Sequence, residues 1–169
     1  LAVPPTAAYR FGVAGETAMA ERLYFEDLPA GLRMSSASVV VTAEEIVAFA
    51  ARYDPQPFHL HDDGAAGTLF GTLAGSGWHT AAVTMRLQVD GGLPIAGGII
   101  GGRVDALQWP RPVRPGDTLR VETEVLEARE SASRPDQGWV KVRSVTLNQQ
   151  DAPVMVLVVN LLTQRRPVG

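Results

Sequence analysis

Between residues 119 and 125 the chain reads Leu-Arg-Val-Glu-Thr-Glu-Val, with Leu119, Val121, Thr123 and Val125 on one side and Arg120, Glu122 and Glu124 on the other. Successive strand side chains point to opposite faces, so this stretch demands a half-buried antiparallel strand. Arg114-Pro115-Gly116-Asp117 just before it suits a type II turn, in which Pro115 fixes one central position and Gly116 supplies a positive φ. Residues 131–138, SASRPDQG, read as a loop, and 140–148 as a second strand whose alternation slips after Ser144, the mark of a bulge. Then comes VMVLVVNLLT, residues 154–163, apolar on both faces. A strand of that kind needs cover on both sides, from a helix on one and from another subunit on the other.

The helix is supplied upstream. Thr42 and Glu45 are spaced as a capping box, and Ile46, Phe49 and Ala50 follow at i, i+3 and i+4 on one face. Pro55 stops this helix, which leaves Asp54 just past its end, and Pro57 stiffens the loop that presents His59. A second helix is expected from Ser76 to Val89, after the glycine-rich approach GTLAGSG and before the breaker DGGLP. Its side chains are apolar around most of the circumference, which predicts a buried helix. One buried helix against a long antiparallel sheet is an α+β layout.

At 169 residues the chain suits one domain. We divide it into an N-terminal extension, 1–23, and a domain, 24–169. The net charge of −3 and the lack of any basic block argue against nucleic acid as a partner. There is no cysteine, which removes disulfides, thiolate nucleophiles and cysteine–zinc sites, and fits a cytoplasmic location. The longest apolar run is too short to span a bilayer and is broken by Asn160, so no membrane association is expected.

The chemistry concentrates in RYDPQPFHLHDD, residues 52–63, which holds two of the chain's three histidines. A carboxylate at Asp54 and an imidazole at His59 on one stiff segment can share a water molecule. With ordinary pKa values of about 3.9 and 6.5, both can accept a proton near neutrality. Addition or removal of water is the chemistry that suits such a pair. The plainer account has Asp54 capping a turn and both histidines solvated. The amides at Ser76, Gly77 and Trp78 open the second helix, where unpaired donors meet the positive end of the dipole. They can hold a developing oxyanion, although a helix start that needs glycine only for packing would look the same. His59 and His61 form an H-x-H beside Asp62 and Asp63, but only His79 remains as a further imidazole, so no metal is expected. GGIIGG, residues 97–102, leads into a strand rather than a helix and is not followed by G-K-[ST]. Trp78, Trp109 and Trp139 are scattered singly and read as core or pocket walls.

These segments together resemble the MaoC-like hydratases, the (R)-specific enoyl-CoA hydratase group of the hotdog fold. That family's D-x-N-P-x-H is DPQPFH here, with Asp54, Pro57 and His59 in register. YFEDLPAGLRM, VTAEEIVAFAARYD, LAGSGWHTAAVTMRL and RPVRPGDTLRVETEVLE extend the similarity over most of residues 24–165. The resemblance implies an antiparallel sheet wrapped around a long central helix, paired into a homodimer or higher oligomer. It also implies reversible hydration of a trans-2-enoyl thioester to an (R)-3-hydroxyacyl thioester. Asp54 and His59 would be the catalytic pair, and the Gly77 amide would bind the thioester carbonyl. Gln56, Ser76 and Trp78 would lie against the substrate. Coenzyme A or a carrier protein would carry the acyl group, coenzyme A as part of the substrate rather than as a bound cofactor. Gln56 departs from the family's asparagine by one methylene, which would shift its hydrogen bonds. A non-catalytic acyl-thioester-binding subunit and an acyl-CoA thioesterase are the competing functions.

Overall fold

The computed structural model describes residues 22–167. Residues 1–21 of the expected extension therefore lie outside the described residues. Leu23, assigned to that extension, pairs with Ile95 and packs against the core.

The first elements of the described residues are a 3-10 turn, Phe25–Asp27, and two short strands, β1 (Arg33–Ser35) and β2 (Val39–Val40). Helix α1 (Ala43–Tyr53) begins and ends where its local chemistry dictates. Thr42 Oγ1 accepts the Glu45 amide at 3.2 Å while Glu45 accepts the Thr42 amide at 2.9 Å, and Asp54 is the C-cap before Pro55. Ile46 and Ala50 on its inner face are fully buried. Two single-turn helices follow, α2 (Pro57–Leu60) and α3 (Asp62–Ala65). The segment expected as a loop around His59 is thus a helical turn, because Pro57 at its first position already has the φ a helix needs.

Helix α4 (Gly77–Leu87) crosses the sheet and runs on into a π turn, Gln88–Gly92. The α-helical hydrogen bonding thus ends before the Asp90-Gly91-Gly92 segment, as expected, and the π turn is itself interrupted at Gly91, whose φ of 136 is not helical. Helix α4 and its π turn are not apolar all round. Trp78, Ala82, Met85 and Val89 form an exposed stripe, whereas the buried side includes His79, Thr80, Thr84 and Gln88.

The sheet has the order β1-β4-β5-β6-β3, with β2 also on β4, and it is antiparallel throughout. Its members are β3 (Ile100–Gln108), β4 (Thr118–Glu130), β5 (Gln137–Leu147) and β6 (Pro153–Gln164). The turn before β4 has Gly116 at φ +87 and the Asp117 amide on the Arg114 carbonyl, as a type II turn requires. Leu119, Val121, Thr123 and Val125 of β4 face inward as the alternation predicted.

The slip expected after Ser144 does not occur there. Ser144 and Thr146 stay on the buried face, and the register with β6 shifts two residues later, at Thr146/Leu147. The reason is a layer of hydroxyls and one amide between α4 and the sheet. Gln88 Nε2 donates to Ser144 Oγ at 2.8 Å, Ser144 Oγ lies 3.0 Å from Thr123 Oγ1, and Thr84 Oγ1 meets Thr146 Oγ1 at 2.6 Å. Buried polar atoms are tolerated when each has a partner, and among the described residues every buried side-chain nitrogen or oxygen has one. Losing one partner would strand the other at a cost of about 1–3 kcal/mol. Two apolar clusters flank this layer. One gathers Val41, Ile46, Val83, Leu87, Leu119 and Val121; the other gathers Leu28, Leu93, Ile95, Val140, Val142 and Leu161.

Candidate active site

Asp54 closes α1 and His59 is the third residue of α2, so the two prolines between α1 and His59 fold the chain back on itself. This brings Asp54 Oδ2 to 3.5 Å from His59 Nε2. The imidazole is 5% exposed, and its Nδ1 is 2.7 Å from the Ala74 carbonyl oxygen. A carbonyl only accepts, so Nδ1 carries a proton and it is Nε2 that faces Asp54. The 3.5 Å separation is long for a direct hydrogen bond. A water placed beside them meets a polar atom on each side, Asp54 Oδ2 and His59 Nε2.

Each oxygen of Asp54 already holds one donor. Ser76 Oγ donates to Oδ2 at 2.6 Å and Gln56 Nε2 donates to Oδ1 at 2.7 Å. Burial pushes the Asp54 carboxyl toward its neutral form, but the hydrogen bonds from Ser76 and Gln56, helped by the field of His59, outweigh it. The net result is a pKa below the usual carboxylate value. The extra methylene of Gln56 is thus absorbed by a bond to the carboxylate two residues away.

Ser76 also starts α4. Its Oγ accepts the Trp78 amide at 3.2 Å and its carbonyl accepts the Thr80 amide at 3.0 Å. The Gly77 amide, first in the helix, takes neither acceptor and stands at the positive end of the dipole. A Cβ on Gly77 would sit 2.8 Å from Cε2 of Trp109, so the glycine makes room for that indole.

Asp54, His59, Gly77 and Trp78 line one cleft of about 330 Å³, with Phe70, Thr80, Trp109 and the 110–113 segment completing its walls. Trp78 is 60% exposed at the rim and meets Trp109 edge to face, ring centroids 5.4 Å apart. Gln56 and Ser76 stand behind the carboxylate. His61 turns away to accept the Gly64 amide through Nδ1 at 2.8 Å, so the H-x-H imidazoles do not converge. Trp139 lies elsewhere, on the sheet beside Gly102.

Trp78 and Trp109 are pocket walls, as one of the two sequence readings had it, whereas the sequence reading missed Phe70 and the Ala74 carbonyl. Their roles depend on residues 109–113 lying beside 75–77, where Gly75 donates to the Val113 carbonyl at 2.8 Å, a pairing that leaves no local signal.

Residues 27–147 match the family model for the MaoC like domain. A MaoC-like dehydratase from Rhodospirillum rubrum is 52% identical, with a TM-score of 0.84 over 86% of this chain and 99% of that one. The 3-hydroxybutyryl-CoA dehydratase of Methylorubrum extorquens is 35% identical over 106 residues, 62% of this chain and 65% of that protein. The unliganded (R)-hydratase PhaJ1 from Pseudomonas aeruginosa is 25% identical, with a TM-score of 0.68 over 86% of this chain and 88% of that one. Helix α4 against one continuous antiparallel sheet is the hotdog arrangement these dehydratases share, and by its sequence and its fold this chain belongs to the MaoC-like domain family.

Proposed function

We propose that this chain catalyses the reversible hydration of a trans-2-enoyl thioester to an (R)-3-hydroxyacyl thioester. The observation that carries the reading is the pairing of a doubly hydrogen-bonded Asp54 carboxylate with His59, whose Nδ1 is tied to the Ala74 carbonyl and whose Nε2 faces Asp54, on a cleft that Gly77 also lines. A water held between Asp54 and Nε2 adds its oxygen to C3 of the substrate. The double-bond electrons move toward the thioester carbonyl, and the pair accepts one proton from the water and returns one to C2. The carbonyl oxygen gains negative charge as C3 is attacked, and the Gly77 N–H at the head of α4 stabilises it there. Dehydration runs the same steps backwards. Coenzyme A, as the acyl carrier, belongs to the substrate.

The test is the loss of enoyl-thioester absorbance when purified protein meets crotonyl-CoA. Asp54→Asn and His59→Ala should each lower kcat/KM by about 10²–10⁴, the usual worth of positioned acid–base help. Circular dichroism should report an intact fold in both. Full activity in both variants removes the mechanism. Binding of crotonyl-CoA without conversion would favour the acyl-thioester-binding alternative, and release of free thiol from acyl-CoA the thioesterase.

A further inference from the structure

We propose that Phe70 is the specificity-determining residue of this cleft and restricts it to short acyl chains; the inference rests on the hydratase reading for the direction in which the substrate lies. An enoyl thioester has its carbonyl carbon and C3 two bonds apart. With the carbonyl on the Gly77 amide and C3 at Asp54 and His59, the sulfur and its carrier leave past Gly77. The carbons beyond C3 leave past His59. There they meet Phe70, whose ring centroid is 5.8 Å from that of His59 and 5.0 Å from that of Phe58.

This wall is held in place. Arg114 Nη2 donates to the Phe70 carbonyl at 2.6 Å, and Nη1 donates to those of Thr72 and Leu73 at 2.6 and 3.1 Å. The Phe70 amide is fixed on Thr68 Oγ1 at 3.1 Å. A detour between α4 and the sheet is closed by the hydroxyl layer, because an alkyl chain entering there would break bonds such as Thr84–Thr146 and offer none in return. A cleft of about 330 Å³ stands at the small end of the range for ligand pockets, about 300–1,000 Å³.

The experiment is calorimetric titration of the full chain with butyryl-, hexanoyl- and octanoyl-CoA, which have no double bond to hydrate. An open apolar channel gains roughly fourfold in affinity per added methylene. The wild type should show no such gain, with octanoyl-CoA bound no tighter than butyryl-CoA. Phe70→Ala should raise the octanoyl-to-butyryl affinity ratio at least about tenfold, and Phe70→Leu should raise it in the same direction if the alanine variant folds poorly. Leu69→Ala, at a neighbouring side chain that is 105% exposed, should leave the ratio unchanged. A wild type that gains with every methylene overturns the proposal, as does a ratio unmoved in both Phe70 variants or no binding of any acyl-CoA. Length discrimination that Phe70 variants relax, in a protein that leaves crotonyl-CoA unchanged, would support the proposal and refute the hydratase reading alone.

Discussion

Gly77 separates two accounts of why a glycine stands at the head of α4. In one it lets a thioester carbonyl approach the backbone; in the other it makes room for a side chain. In Gly77→Ala the new Cβ would lie 2.8, 3.0 and 3.1 Å from Cε2, Cδ2 and Nε1 of Trp109. Ordinary contact begins at 3.4 Å, so the indole must retreat by about half an ångström or more. Trp109 is 40% exposed, so it can tilt outward, and the overpacking should cost about 1–3 kcal/mol. Alanine's better helix propensity, at most about 1 kcal/mol, offsets part of this. The net loss should lower Tm by a few degrees, since about 1 kcal/mol shifts a chain of this size by roughly 2–4 °C. Catalysis should suffer more, because Trp109 is a wall of the cleft and a displacement of about 1 Å can cost on the order of 10²-fold. The decisive assay is a double-mutant cycle with Trp109→Ala, read by urea denaturation. Without the indole the alanine has nothing to strike, so the cycle should show a coupling of about 1–2 kcal/mol. Additive effects, within about 0.5 kcal/mol, would refute the claim that the glycine serves Trp109.

Ser76→Ala removes a donor from ionised Asp54 and should raise its pKa. A carboxyl held low in the folded state contributes stability that is fully present above its unfolded pKa and is lost as pH falls through the folded value. The variant should therefore be less stable at neutral pH, and the acid limb of its kcat/KM profile should lie at higher pH; an unmoved limb rules out Ser76 as the group that holds Asp54 ionised. A homodimer is expected on sedimentation at micromolar concentration, because β3 ends the sheet with one edge unpaired among the described residues. Val104 there is 56% exposed and Ile100 49%. A monomer under those conditions would leave that edge unexplained.

Much of the fold was legible because it is written in short-range chemistry. Thr42 and Glu45 bond each other's backbone across three residues, Pro55 cannot continue a helix, and Gly116 takes the φ its turn demands. The alternation of 119–125 put Leu119, Val121, Thr123 and Val125 on the buried face, where they are. Where the reading failed, long-range partners had overridden local pattern. Ser144 and Thr146 looked like a break in alternation only because their hydrogen-bond partners, Gln88 and Thr84, lie on a helix far back in the chain. The polar side of α4 was hidden for the same reason.

The candidate site divides along the same line. Sequence by itself determined that Asp54 and His59 sit on one proline-folded segment and that Gly77 heads a helix, because those facts depend on neighbours a few positions away. Only the tertiary structure decided that Ser76, 22 residues from Asp54, would donate to its carboxylate, that the Ala74 carbonyl would hold a proton on Nδ1 of His59, and that Arg114 would clamp the Phe70 loop. Those contacts arise when α4 packs on the sheet and the 109–113 segment lies along its start, and no local spacing in the chain encodes that packing.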